Sequence, residues 1–224
     1  MRRTTPLAVL WSILSLSLLS TQTGAPLTAA PNAAPVPAGL APPVAARLAK
    51  SGVRVTVAKG PVTLDFWFVE SLPMKAGSAT PSWDDVEEGT LVGAVNISTD
   101  YRDIRAKILK PGLYTLRYGI QPDNGDHLGV SPFRAFLLLS PAAQDKDPKA
   151  TGHDGTIDLS KASIGGSHPG VWSIDPPVAS AAAHSIHKTS LGHQAIVMEI
   201  PIVRDAKPAG TLKFGIVLIG SIEA

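Results

Sequence analysis

The sequence predicts an all-β protein, an antiparallel β-sandwich of about eight strands in an immunoglobulin-like or jelly-roll-like arrangement, with one long irregular insertion. Three observations favour this fold class. Apolar and polar residues alternate in several segments after Gly52, turn sequences rich in Pro and Gly separate these segments, and no long amphipathic helix is evident. Strict alternation is typical of a strand with one buried face, and short strands joined by turns favour a sandwich.

The N-terminus has the layout of a secretory signal peptide over residues 1–25. Arg2 and Arg3 precede an apolar stretch at residues 7–19, and small or polar residues follow as far as Ala25. This stretch is shorter than the roughly 20 residues that a membrane-spanning helix needs. We therefore expect cleavage, a periplasmic or secreted location, and no membrane span after signal removal. The chain contains no cysteine, so it is not expected to be a lipoprotein anchored through an N-terminal cysteine.

A linker rich in proline and alanine follows at residues 26–43, where the sequence PLTAAPNAAPVPAGLAPP carries no charge. This composition predicts an extended tether. Residues 44–224 then form a single predicted domain, which begins with a helix-capable piece at residues 44–50. A chain of that length can bury roughly 70% of its unfolded surface. A hydrophobic core can therefore stabilise it without disulfides, which fits a bacterial envelope protein better than a disulfide-rich secreted module.

Predicted strands account for much of the domain. In residues 133–139, FRAFLLL, nearly every side chain is apolar, which indicates a strand covered on both faces. Residues 91–97 are also predicted to be a strand. Period-two alternation marks the other predicted strands, at residues 53–57, 64–68, 114–120, 196–202 and 212–218.

Two insertions interrupt the predicted strands. Residues 73–89 contain Trp83 and a patch of four acidic side chains. The longer insertion, at about residues 141–192, has no regular period apart from a possible short helix at residues 156–163. A loop of this length in a compact domain is usually functional or poorly ordered.

The charge balance argues against two classes of partner. The chain has 20 Lys and Arg against 18 Asp and Glu, and two of the basic residues lie in the first 30 residues, which contain no acid. The remainder is formally neutral, with 18 bases against 18 acids. A neutral protein gives no electrostatic reason to bind nucleic acid or an anionic membrane. The signs of export, the predicted β core and the lack of a nucleophile or cofactor motif favour a small ligand or another envelope protein as the partner.

All six histidines lie between His127 and His193, which is the strongest compositional bias in the chain. Neutral imidazole is the commonest metal ligand and the usual acid or base near neutral pH, so a divalent metal site is one hypothesis. The spacing matches no HExxH or helical zinc template, and solvated loop histidines are the other interpretation. The candidate metal ligands are His153, His168, His184 and His187.

The loop in the sequence YGIQPDNGDHLGVSPFRAFLLL, residues 118–139, holds the second group of candidates. Its Asp123 resembles the first residue of a calcium loop, but the twelfth position from there is Arg134 and not the Glu that an EF-hand requires. Asn124 and Gly125 are predicted to supply the positive-φ residues of a turn. The residue types in the first part of the loop are therefore most simply explained by the backbone conformation of a tight turn.

Asp126, His127 and Arg134 are harder to explain in this way. Arg134 interrupts an apolar predicted strand, and an arginine there must pair or reach solvent because an unpaired buried charge costs several kcal/mol. Together with Arg117, these residues are candidates for a pocket that binds an anionic or sugar-like ligand. The alternative is an ion pair that fixes the loop.

The motif search favours binding over catalysis. No GxSxG, SxxK or other nucleophile signature is present, and no cofactor fingerprint is found. The leading hypothesis is an exported, non-catalytic binding or structural β-sandwich domain with no cofactor. The alternative is a histidine-dependent metal-binding protein or hydrolase that uses residues 123–193.

Three runs in the sequence resemble exported bacterial proteins of unknown function, of the kind found in acidobacteria and other soil bacteria. They are ILKPGLYTLRYGIQPDNGDHLGVSPFRAFLLLSP, VTLDFWFVESLP and GTLVGAVNIS. The resemblance covers most of residues 52–218. It implies export and a β domain, and it carries no activity and no catalytic residue.

Overall fold

The computed structural model describes residues 27–57, 62–77, 80–121, 133–166, 168–176 and 180–221. These residues contain thirteen strands, two α-helices and one 3-10 helix. The helices are α1 (Pro42–Ala45), α2 (Gly152–Lys161) and the 3-10 helix at Trp83–Asp85. The strands are β1 (Leu27–Asn32), β2 (Gly52–Val57), β3 (Val62–Phe68), β4 (Leu72–Pro73), β5 (Leu91–Ile97), β6 (Tyr101–Arg102), β7 (Ile108–Leu109), β8 (Gly112–Ile120), β9 (Ala135–Pro141), β10 (Gly170–Asp175), β11 (Ile186–Lys188), β12 (Gln194–Arg204) and β13 (Lys207–Ile219).

Ten strands follow one another through a single sheet in the order β1-β2-β3-β5-β8-β9-β10-β13-β12-β11. Neighbours along this path are antiparallel, and β4 joins as an eleventh strand by pairing in parallel with β12. Among the described residues, β6 and β7 form a separate two-stranded sheet. The predicted β-rich fold is confirmed in this coarse form. The predicted antiparallel sandwich of about eight strands is not confirmed, because the strands form one large, curled and mixed sheet.

The curl of the sheet is concentrated at β10. Residues 170–173 of this strand pair with β9, whereas Ile174 and Asp175 pair with β13. A strand that changes partner along its length turns a corner in a sheet. The two ends of the path also approach each other, because β1 contacts β11. The inner face of the curled sheet therefore encloses the hydrophobic core.

Strand β8 illustrates how the sheet is covered on both sides. Tyr114, Leu116 and Tyr118 point into the core, as period-two alternation requires. Thr115 and Arg117 point to the opposite face, and both are fully buried because α2 and the chain after β9 lie over them. The predicted burial of residues 133–139 on both faces holds for Leu137, Leu138 and Leu139 of β9. The preceding Ala135 and Phe136 are half-buried, and Arg134, which lies before the strand, is exposed.

Two segments that were expected to be irregular contribute regular structure. Part of the predicted tether at residues 26–43 forms β1, which pairs with β2 and buries Leu27. The predicted insertion at residues 141–192 contains α2, β10 and β11. Strand β10 was missed because its alternation is short, with only Trp172 and Ile174 alternating with Ser173 and Asp175, and because these polar residues are buried. Within the part of the chain that the structure describes, no helix has the length and apolar character to cross a membrane.

Candidate functional site

A cleft of about 580 Å³ lies at the end of the curled sheet where β8 finishes and β9 begins. Core-facing side chains near the ends of three strands form its floor, namely Ile120 of β8, Ile174 of β10 and Leu212 of β13. The segment that carries Trp83, between β4 and β5, closes one side. The volume lies in the range of small-molecule sites, which is roughly 300–1,000 Å³.

Three aromatic rings form the wall of the cleft. Trp83 stacks on Tyr118 with ring centroids 5.1 Å apart and an interplanar angle of 24°. Phe214 meets Trp83 edge-on at 5.0 Å and 85°. Stacked and edge-to-face pairs at such distances are favoured by the ring quadrupoles. The 3-10 helix holds the backbone of Trp83, whose carbonyl accepts a hydrogen bond from the Val86 amide. The wall is therefore set by packing before any ligand arrives.

The Tyr118 hydroxyl is the main polar group of this wall. Burial, followed by the nearby carboxylates of Asp84 and Glu88, raises the pKa of Tyr118 to about 12, although Arg134 opposes this shift. The phenol is therefore neutral near pH 7 and keeps its proton. Within the described part of the chain its hydroxyl makes no hydrogen bond, and its oxygen is not among the buried polar atoms that lack a partner. The indole Nε1 of Trp83, in contrast, is buried and has no hydrogen-bond partner among the described residues.

Arg134 lies at the rim and ties the two strand ends together. Its Nε and Nη2 donate to the carbonyl of Gln121 at 3.1 and 2.8 Å, and the Gln121 amide donates back to the Arg134 carbonyl at 2.8 Å. Asp84, on the other side of the cleft, is exposed. The rim therefore carries one charge of each sign at these two positions. The other two predicted members of this pocket, Asp126 and His127, lie outside the described residues.

Arg117, the fourth residue predicted to bind a ligand, does not line the cleft. Its side chain lies on the other face of β8 and is fully buried. Nε and Nη2 donate to Oδ2 and Oδ1 of Asp145, both at 2.7 Å, and Nη1 donates to the carbonyls of Gly89 and Lys149. The guanidinium is thus occupied by internal acceptors and holds the chain after β9 against the sheet.

A second group of titratable side chains lies behind the cleft, around Asp175. Nε2 of His187 is 3.9 Å from Oδ2 of Asp175. Burial raises the pKa of Asp175, and the positive potential of His187 and His193 partly opposes that shift. His193 is itself nearly buried, and its Nε2 lies 3.1 Å from the carbonyl oxygen of Ser221. Asp175 also lines the cleft, so this group connects the cleft with the β11–β12 hairpin.

The four predicted metal ligands are found on separate parts of the fold. His153, on α2, donates through Nδ1 to Oε1 of Glu88 at 2.8 Å. His187 lies beside Asp175, while His168 and His184 are exposed, the latter in a turn with a φ of 63°. The described residues contain no cluster of three His, Asp or Glu side chains that could hold a metal ion.

The aromatic wall itself was not predicted. Tyr118 and Phe214 occupy core-facing positions that the alternation does predict, but their convergence with Trp83 depends on the curl of the sheet. Comparison with known proteins adds no family to this description, because no family profile, curated protein or solved structure matches the chain.

Proposed function

We propose that the protein is an exported, non-catalytic domain that binds a small ligand in the cleft beside Trp83. The observation that carries this proposal is an open cavity of about 580 Å³ at the end of the sheet, with a wall in which Tyr118 and Phe214 both pack against Trp83. Concave sites with apolar walls and few polar groups are typical of small-molecule binding. The signal-like N-terminus supports export to the periplasm or the medium.

The state of the polar side chains supports binding over catalysis. Lys213 donates to the carbonyl of Ala181 at 2.9 Å, and Arg134 donates to the carbonyl of Gln121. The Tyr118 phenol stays protonated, because its pKa is raised to about 12, so it serves as a donor and is a poor base at neutral pH. These groups are suited to orienting a ligand.

We also interpret the curled sheet as sandwich-like, with β10 shared between two facing halves. The contact of Phe68 on β3 with Phe214 on β13, at 6.0 Å between centroids, supports this view. So does the contact of Phe66 on β3 with Trp172 on β10, at 5.5 Å. In such an arrangement the open end between the halves is a natural place for a ligand.

The test is a thermal-unfolding screen of the purified protein against neutral aromatic compounds, sugars, phosphate and divalent metals. A ligand at a hundred times its dissociation constant adds roughly 2.7 kcal/mol to the free energy of unfolding. We expect an aromatic or sugar compound to raise the melting temperature, and Trp83→Leu to abolish that rise. Phe136→Leu is the matched control, because Phe136 is half-buried and does not line the cleft.

Two results would contradict the proposal. One is that no compound changes the melting temperature, and the other is that Trp83→Leu leaves every observed change intact. A rise caused by zinc and abolished by His187→Asn would instead support the histidine-dependent metal-binding protein or hydrolase.

A further inference from the structure

We propose that the cleft selects a neutral ligand with a planar ring and a hydrogen-bond acceptor attached to it, such as an aromatic ketone, ester or amide, and that Tyr118 donates to the acceptor. This inference depends on the proposed function, because it names the class of ligand for the same cleft. It has three parts, which concern the ring, the acceptor and the absence of charge.

The ring is inferred from the wall of the cleft. Trp83, Tyr118 and Phe214 present aromatic surface, and Ile120 and Ile174 add aliphatic surface on the floor. Flat aromatic ligands gain both area burial and quadrupole interactions against such rings, with offset-stacked or edge-to-face geometry. A flexible polar ligand would gain neither.

The acceptor is inferred from the Tyr118 hydroxyl. This group makes no hydrogen bond within the described part of the chain, and its oxygen is not among the buried polar atoms that lack a partner, so it borders the open space of the cleft. Nε1 of Trp83 also has no partner among the described residues, but that atom is buried and a ligand in the cleft does not reach it. A phenol is a good donor, and a donor without a protein acceptor is matched by an acceptor on the ligand.

The neutrality of the ligand is inferred from the charges around the cleft. Asp84 and Arg134 stand on the rim with opposite signs, and the ammonium group of Lys213 already donates to Ala181 and lies 3.9 Å from Glu199. Asp175 is balanced in part by His187. The described charged residues that line the cleft, Asp84, Asp175, Arg134 and Lys213, balance in sign, so a charged ligand meets no net opposite charge to offset the loss of its hydration, which is costly.

Three probe compounds of nearly the same shape test the acceptor and the neutrality of the ligand separately, because all three keep the ring. Acetophenone carries a carbonyl, α-methylstyrene replaces the carbonyl oxygen with a methylene group, and benzoate replaces the acetyl group with a carboxylate. Their dissociation constants are to be measured by NMR titration of the purified protein. We expect acetophenone to bind about threefold to tenfold more tightly than α-methylstyrene, which is the effect of one neutral hydrogen bond. Benzoate should bind most weakly.

Tyr118→Phe removes the hydroxyl and keeps the ring that stacks on Trp83. In this variant the affinity ratio of acetophenone to α-methylstyrene should fall to about one, while the affinity for α-methylstyrene stays unchanged. Tyr114→Phe is the matched control, because the Tyr114 hydroxyl donates to the carbonyl of Lys110 at 2.9 Å and lies outside the cleft. That control should keep the ratio of the unmodified protein.

The inference is overturned if acetophenone and α-methylstyrene bind the unmodified protein equally, a comparison that needs no variant to fold. It is also overturned if Tyr118→Phe preserves the preference for acetophenone, or if benzoate binds most tightly. In each of these cases, loss of all binding in Trp83→Leu would leave the proposed function standing. If none of the three probes and no compound in the thermal screen binds, the proposed function fails as well.

Discussion

Arg117 and Asp145 form an ion pair with two hydrogen bonds of 2.7 Å, and the two side chains are 0% and 2% exposed. The pair lies on the outer face of β8, where it fastens the chain after β9 to the sheet. The remaining donors of Arg117 reach the carbonyls of Gly89, Asp147 and Lys149. Every N–H group of the guanidinium thus has an acceptor, which explains how a charged side chain is accommodated in a buried site.

Asp145→Asn should lower the free energy of unfolding by about 3–5 kcal/mol, because it leaves the buried charge of Arg117 without its counter-charge. Urea denaturation measures this change. Asp147→Asn is the matched control, since Asp147 is exposed and only its backbone carbonyl contacts Arg117. The control should change stability by less than about 0.5 kcal/mol. Equal effects of the two substitutions would show that the pair does not stabilise the fold.

Arg117 shows how far the sequence can predict this structure. Period-two alternation in residues 114–120 correctly separates Tyr114, Leu116 and Tyr118 from Arg117. Arg117 is a candidate ligand-binding residue from the sequence because it could lie across a hairpin from Arg134, but a strand pattern does not reveal what covers the second face of the strand. That cover comes from Asp145 and α2, which lie in the insertion that was expected to be irregular.

The cleft could be predicted only in part for a similar reason. The strands that carry Tyr118 and Phe214 follow from local alternation, and Trp83 was noted as part of an insertion. Their contact requires β10 to pair with β9 at one end and with β13 at the other. That change of partner is a property of the whole sheet, and no local pattern in the sequence encodes it.

The three tyrosines of the chain should make the protein sensitive to alkali. Burial raises the pKa values of Tyr101, Tyr114 and Tyr118 above the ordinary value of about 10. The folded state therefore holds phenolic protons that the unfolded state releases near pH 10. Their contribution to stability is complete below about pH 10 and is lost as the pH rises through the folded-state values.

Ultraviolet absorbance of phenolate and circular dichroism, recorded during an alkaline titration, check this expectation. Phenolate should appear above pH 10 and together with the loss of β structure. Ionisation of one or more tyrosines near pH 10 with an unchanged circular dichroism spectrum would contradict it. Tyr118→Phe should fold normally and should lose less stability between about pH 10 and pH 12 than the unmodified protein.

Asp175→Asn should stabilise the protein at neutral pH. Burial raises the pKa of Asp175, with His187 and His193 opposing the shift. A raised folded-state pKa favours folding while the carboxyl is protonated, below about pH 4, and this contribution disappears as the pH rises through the raised value. The gain from Asp175→Asn should therefore be largest near pH 7 and shrink toward pH 4.

Urea denaturation at a series of pH values measures the difference in the free energy of unfolding between Asp175→Asn and the unmodified protein. Asp158→Asn is the control, because Asp158 is exposed and its one ion pair among the described residues is with Lys161 on α2. Its effect should be small and nearly independent of pH. If Asp175→Asn increases the free energy of unfolding more at low pH than at neutral pH, the pKa of Asp175 is not raised in the folded state.

Glu88 joins the end of β8 to α2, so its removal should loosen both. Its Oε1 accepts a hydrogen bond from the Ile120 amide at 3.0 Å and another from Nδ1 of His153 at 2.8 Å. Ile120 lies in the floor of the cleft. We expect Glu88→Ala to lower the free energy of unfolding by about 1–3 kcal/mol, the usual cost of losing hydrogen bonds to a charged group. Glu88→Gln should cost less, because an amide oxygen can still accept from Ile120.

Hydrogen exchange followed by mass spectrometry tests where the loosening occurs. Peptides that cover residues 112–121 and 152–161 should exchange faster in Glu88→Ala, whereas peptides from β12 and β13 should not change. Glu87→Ala is the matched control, because Glu87 is adjacent to Glu88 and its own side chain is exposed. Removal of this side chain should leave hydrogen exchange and stability unaltered. If Glu88→Ala and Glu87→Ala behave alike, the end of β8 is held by the sheet alone, and the geometry of the cleft does not depend on α2.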